Sequence, residues 1–135
     1  MKIKEAAQYC GLTEKAIRLY EAKGLIHPQT EEKNGRVFRE YDSEAIRALL
    51  TVGTLRRADF SLEQIGMMQQ SPHKIPEVFA AYREEVKSNA ARLTALSRVM
   101  DSFQPNGEVT LEEVADRLAI AMIPERIANA VAAES

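Results

Sequence analysis

The chain of 135 residues has no tryptophan, one cysteine and two histidines. A lone cysteine closes no internal disulfide, and one chain cannot build a multi-thiolate metal site from it. His27 and His73 are isolated, so no metal ligand set is expected, and Cys10 reads as a small buried side chain. No segment approaches the ~20 apolar residues of a membrane-spanning helix, and the opening MKIKEAAQYC lacks the apolar run of a secretion signal. A cytoplasmic location with no membrane partner is the expectation. Nucleophile–base pairings, glycine-rich phosphate loops and clustered carboxylates are also missing above background. Neither an enzyme nor a cofactor is expected.

What is present is a charged, helical chain. Hydrophobic residues make up 45%, enough for a core, and charged residues 28%, the mark of a solvated surface. The net charge of −2 argues against a uniformly basic nucleic-acid binder, but it hides a gradient. Residues 1–60 hold 11 Lys/Arg against 9 Asp/Glu, whereas residues 61–135 hold 7 against 11. A polyanionic partner should therefore meet the N-terminal half.

That half reads as short helices with tight connections. Ile3 to Tyr9 forms a first helix ending near Gly11. Thr13 caps a second, which runs to about Ala22 and stops at Gly24. After Pro28, Asn34-Gly35 marks a hairpin turn, with Val37, Phe38 and Tyr41 as strand-forming flanks. Ser43 can cap a third helix, Glu44 to about Arg57, and SLEQ at 61–64 has the capping-box pattern of a fourth.

The middle of the chain differs. Between Pro76 and Pro105 there is neither glycine nor proline, which predicts a helix of roughly 28 residues, or about 42 Å. Phe79, Tyr82, Val86, Asn89, Leu93, Leu96, Met100 and Phe103 fall on alternating steps of three and four, a coiled-coil seam. The bland alternative is a long helix packed on its own domain. Asn89 would cost stability in the seam yet fix register and partner number. Past Pro105, TLEE at 110–113 opens a further helix. Leu111, Val114, Leu118, Met122, Ile123, Ile127 and Val131 supply apolar positions, and Pro124 separates two short helices.

The chemistry concentrates in GLTEKAIRLYEAKGLI, Gly11 to Ile26. Ala7, Gly11 and Ile17 follow A-x3-G-x5-I: a small residue where two helices cross, a turn glycine, and a branched anchor for the second helix. This leaves Thr13, Lys15 and Arg18 on the outer surface of that helix, where they could meet base edges in a major groove. The hairpin brings Arg36, Arg39 and Tyr41 close together, as a wing along a phosphate backbone would. Arg56-Arg57 adds a further basic point. The competing readings are a solvated helix face and an ordinary surface hairpin.

GLTEKAIRLYEAKGLI, NGRVFREYDSEAIRAL and RRADFSLEQI, in that order before a long helix, resemble the MerR family of bacterial transcription regulators. The resemblance covers residues 1–70 by wording and 76–103 by pattern. It implies a mainly α fold in three parts: a winged helix-turn-helix DNA-binding domain (1–72), a long antiparallel coiled-coil dimerisation helix (76–104) and short C-terminal helices (108–135). It also implies a homodimer that binds double-stranded promoter DNA and distorts its spacer so that RNA polymerase engages both promoter elements. By position, Thr13, Lys15 and Arg18 would face bases, while Tyr20, Lys23, Arg36, Phe38, Arg39 and Tyr41 would meet phosphates or form the wing. Leu19 replaces the first of a common tyrosine pair, and Asp59 stands where the family usually has glycine. The wording is closest to the copper-responsive branch, but that branch's paired cysteines are missing. The C-terminal helices then carry two readings, a pocket for a small apolar effector or an extension of the dimer interface. An effector-independent, excisionase-like DNA-bending protein and a coiled-coil protein adaptor are the alternative functions.

Overall fold

A glycine or a capping side chain marks most helix ends in the N-terminal half, and the structure, a computed structural model that describes residues 1–119, follows these marks closely. Helix α1 (Ile3–Cys10) stops at Gly11, whose φ of 67° is left-handed. The Leu12 N–H then donates to the Ala7 carbonyl at 2.9 Å and closes the helix end. Helix α2 (Glu14–Ala22) begins at Thr13, whose Oγ1 accepts from the Ala16 N–H at 3.0 Å. It ends in a Schellman motif: the Gly24 N–H donates to Glu21 O and the Leu25 N–H to Tyr20 O, both at 2.9 Å.

Strands β1 (Gln29–Lys33) and β2 (Arg36–Glu40) form an antiparallel hairpin that pairs Thr30 with Arg39 and Glu32 with Val37. Asn34 and Gly35 between them have φ of 53° and 75°, both positive as a tight I′ turn requires. Helix α3 (Ser43–Arg57) is capped by Asp42, not by Ser43 as the sequence suggests. Asp42 Oδ1 accepts from the Ala45 N–H at 2.8 Å. Both residue types cap well, but Asp42 is the one left in extended backbone, and its charge also suits the positive end of the helix.

Asp59, at the position where the family usually has glycine, forms the corner after α3. Phe60 N–H donates to Leu55 O at 3.1 Å and Asp59 N–H to Arg56 O at 2.9 Å, the same closing pattern as at Gly24. Asp59 has φ of 68°, so the corner keeps the backbone shape a glycine would give, carried here by an aspartate. Arg56 fastens it by donating from Nη1 to Phe60 O at 2.6 Å. Helix α4 (Leu62–Gln70) opens with the expected capping box, Ser61 and Gln64 each accepting from the other's backbone N–H. A short 3₁₀ turn (Pro72–Lys74) leads into α5 (Ile75–Ser102), 28 residues long. Phe103 lies one position beyond its end. Helix α6 starts at 111 and is followed through 119, with Thr110 Oγ1 accepting from the Glu113 N–H at 3.2 Å. Met122, Ile123, Ile127, Val131 and the boundary at Pro124 lie outside the described residues.

The chain divides into two compact units, Met1–Ala80 and the part from Ala81 onward. The first unit has a closed core. Ala6, Ala7 and Cys10 from α1 meet Ile17 and Tyr20 from α2, with Leu49 and Val52 from α3 and Ile65 from α4. Ile17, Ile26, Tyr41 and Leu49 are its largest fully buried side chains. Helix α5, by contrast, buries none of its residues. Phe79, Val86, Leu93 and Met100 recur every seventh position and are between 46% and 57% exposed. Tyr82, Leu96 and Phe103 are half-buried and Asn89 is exposed. Phe103 has a neighbour within its own chain: the Arg117 guanidinium lies 4.8 Å from its ring centre.

Candidate nucleic-acid interface

Helix α2 turns one face inward and one outward. Ile17 and Tyr20 are buried, whereas Thr13, Lys15 and Arg18 are exposed. Lys15 makes no ion pair among the described residues, and Arg18 has only Glu14 at 3.9 Å, a long surface pair worth little. Both cations are therefore available to a ligand. Thr13 is committed as the cap acceptor, but its hydroxyl hydrogen can still donate. Gly11 serves the turn through its φ alone, since a Cβ there would meet nothing within 4 Å. Ala7 and Ile17 are both buried, as the A-x3-G-x5-I spacing requires.

The hairpin separates side chains that are close in sequence. Alternation along β2 puts Val37 and Arg39 on one face and Arg36 and Phe38 on the other. Arg39 faces α2, where its Nε donates to both carboxylate oxygens of Glu21 at 2.8 Å. Between α2 and the hairpin lies a groove of about 480 Å³, lined by Lys2, Arg18, Glu21, Val37, Phe38, Arg39 and Tyr41 among others. Lys23 is exposed at the C-terminal end of α2. The acidic Glu31 and Glu32 of β1 are exposed too, so the hairpin is mixed in charge rather than basic.

Two of the residues expected at the phosphates are largely buried. Tyr20 belongs to the core, and Tyr41 is only 1% exposed, with a hydroxyl that has no hydrogen-bond partner among the described residues. That hydroxyl is itself removed from water. Burial, and next the carboxylate of Glu21, push the Tyr41 phenol above its ordinary pKa. At the strand's end Glu40 binds the Met1 ammonium, and the Lys2 Nζ lies 3.0 Å away. These two cations hold the Glu40 carboxyl below the usual carboxylate range.

The long-helix seam also has a local partner. Phe79 stacks on Phe60 with ring centres 6.4 Å apart. Both line an apolar groove of about 540 Å³ with Val52, Leu55, Ile65, Met68 and Ile75. Sequence reasoning missed this contact and the Glu21–Arg39 pair. A glutamate on α2 carries no local signal that it meets an arginine 18 residues away.

Comparison with known proteins places this geometry. The family model described as MerR HTH family regulatory protein matches residues 1–71. The HTH-type transcriptional regulator CueR of Vibrio cholerae is 30% identical over 110 residues, covering 76% of this chain and 78% of that protein. CueR of Escherichia coli O157:H7 is 39% identical over 66 residues, 49% of this chain and 47% of its own length. Among solved structures, the transcription regulator PbrR691 of Ralstonia metallidurans CH34, in complex with lead(II), aligns with a TM-score of 0.61. It is 25% identical and covers 84% of this chain and 93% of that chain. Among the described residues no group of three or more His, Cys, Asp or Glu side chains is placed to hold a metal ion. Cys10 is the one thiol of the sequence; it is buried, and burial pushes its pKa up, against the thiolate a soft metal needs.

Proposed function

The chain belongs to the MerR family of helix-turn-helix regulatory proteins, and on that premise we propose that it regulates transcription as a homodimer on promoter DNA. In this reading α2 enters the major groove and Lys15 and Arg18 read base edges, with Thr13 beside them. Lys23, Arg36, Phe38 and Arg39 meet the backbone flanking it. The dimer distorts the promoter spacer and so controls access by RNA polymerase. Residues 1–72 read DNA, 76–104 dimerise, and 108–135 stabilise the dimer or meet a small apolar effector.

The observation that carries this reading is the outer face of α2. Two cations one turn apart stand free of strong partners on a helix whose opposite face is locked into the core. The exposed stripe on α5 supports the dimer: Phe79, Val86, Leu93 and Met100 stand in sevenfold register and stay about half exposed, Phe79 even with Phe60 stacked on it. An antiparallel seam that uses all eight positions sets Phe79 against the partner's Phe103, Tyr82 against the partner's Met100 and Val86 against the partner's Leu96. Asn89 then faces the partner's Leu93, with the two Asn89 side chains one layer apart, about 6 Å along the axis.

The test is a binding comparison on specific and scrambled duplexes. Arg18→Ala should cost about 1–3 kcal/mol on the specific site and relax base preference. Arg39→Ala should weaken binding on all sequences and reduce the salt slope by about one. Equal loss on every duplex for both variants would contradict base reading by Arg18.

A further inference from the structure

We propose that Glu21 is a positioning residue for DNA binding: by gripping Arg39 at Nε it holds the hairpin's guanidinium ready for a phosphate and ties the hairpin to the reading helix. The inference rests on the DNA-binding role proposed above and adds to it a residue of the wrong charge for touching DNA.

An acidic side chain beside a polyanion is at first sight a liability. The geometry gives it another task. Both Glu21 oxygens lie 2.8 Å from the Nε of Arg39, and among the described residues the terminal Nη nitrogens of Arg39 make no hydrogen bond. The grip thus uses the inner edge of the fork and leaves its outer edge for a second acceptor. Glu21 is itself held, on the last turn of α2 between the buried Tyr20 and the Gly24 closing motif. The pair is partly withdrawn from water, with Glu21 26% and Arg39 43% exposed, and Tyr41 is among the residues lining the same groove. An arginine ordered before binding loses less freedom when it meets its ligand. Because one end of the pair sits on α2 and the other on β2, it also fixes the distance between the base-reading and backbone-touching surfaces.

The experiment compares wild type, Glu21→Ala, Glu21→Gln, Arg39→Ala and the Glu21→Ala/Arg39→Ala double variant, binding one duplex of the selected site at fixed salt. Glu21→Ala should weaken binding about three- to tenfold, the cost of ordering one long side chain on contact. Glu21→Gln, which keeps one acceptor oxygen, should recover part of that loss. In the Arg39→Ala background the Glu21→Ala change should cost nothing further. In the DNA-free protein, the Arg39 Nε–H should give a distinct, exchange-protected NMR resonance that disappears in Glu21→Ala. If Glu21 acts only as a repelling charge, both Glu21 variants bind more tightly, and the proposal is overturned. A Glu21→Ala loss that persists undiminished without Arg39 overturns it equally. A wild-type chain that ignores every duplex sinks the functional reading and this one together. Unchanged affinity in Glu21→Ala, with wild type binding normally, sinks this one alone.

Discussion

The first 80 residues and helix α5 solve the burial problem in opposite ways. The N-terminal unit closes its core within the chain, with Ile17, Ile26, Tyr41 and Leu49 essentially removed from water. Helix α5 has a comparable supply of large apolar residues and buries none of them. A helix of 28 residues spans about 42 Å, too long for any small domain to cover along its full length. The lesson is that exposure in a single chain is not disorder of design. One region closes a core from its own residues, and the other carries a sevenfold apolar stripe that the proposed dimer would cover.

The sharpest way to separate the two is to damage each in turn. Leu93→Glu should hit the dimer hardest, raising its dissociation constant by roughly 100-fold or more through an unpaired charge in the seam. Sedimentation equilibrium would read this, and the melting of the N-terminal unit, followed by tyrosine fluorescence, should scarcely move. Leu49→Ala reverses the pattern. It should cost about 2–5 kcal/mol of N-terminal stability, the same at every protein concentration, as chemical denaturation would show. Asp59→Gly should stabilise the same unit by about 1 kcal/mol, because glycine takes the left-handed corner without strain. Tyr41→Phe is the smallest change. Removing a buried hydroxyl without a partner should shift stability by less than about 1 kcal/mol, toward gain, and leave DNA affinity unaltered. A clear loss of affinity in that variant would restore the phenol to the phosphate contacts.

The same contrast explains what could be read from the sequence. Features set by neighbours along the chain were legible: Thr13 and Ser61 as caps, the left-handed Asn34-Gly35 turn, and the sevenfold spacing on α5. Ser43 was mistaken for Asp42 because two good caps stand side by side, and local pattern does not decide which one stays outside the helix. The sites of long-range contact were opaque. Tyr41 looks like a polar strand flank, yet it is buried, and nothing near it in sequence says so. Arg36 and Arg39 looked like one basic pair, but a step of three on a strand sends them to opposite faces. The stacking of Phe79 on Phe60 and the grip of Glu21 on Arg39 both depend on how elements meet in three dimensions.

The burial of Cys10 gives the molecule a clock of its own. Its sulfur is enclosed in the helix-turn-helix core and burial raises its pKa, so little thiolate is available near neutral pH. A maleimide or disulfide reagent can reach it only when that core opens. The labelling rate under native conditions therefore counts openings of the DNA-reading unit one molecule at a time, with no engineered probe and no other thiol in the chain to blur the count.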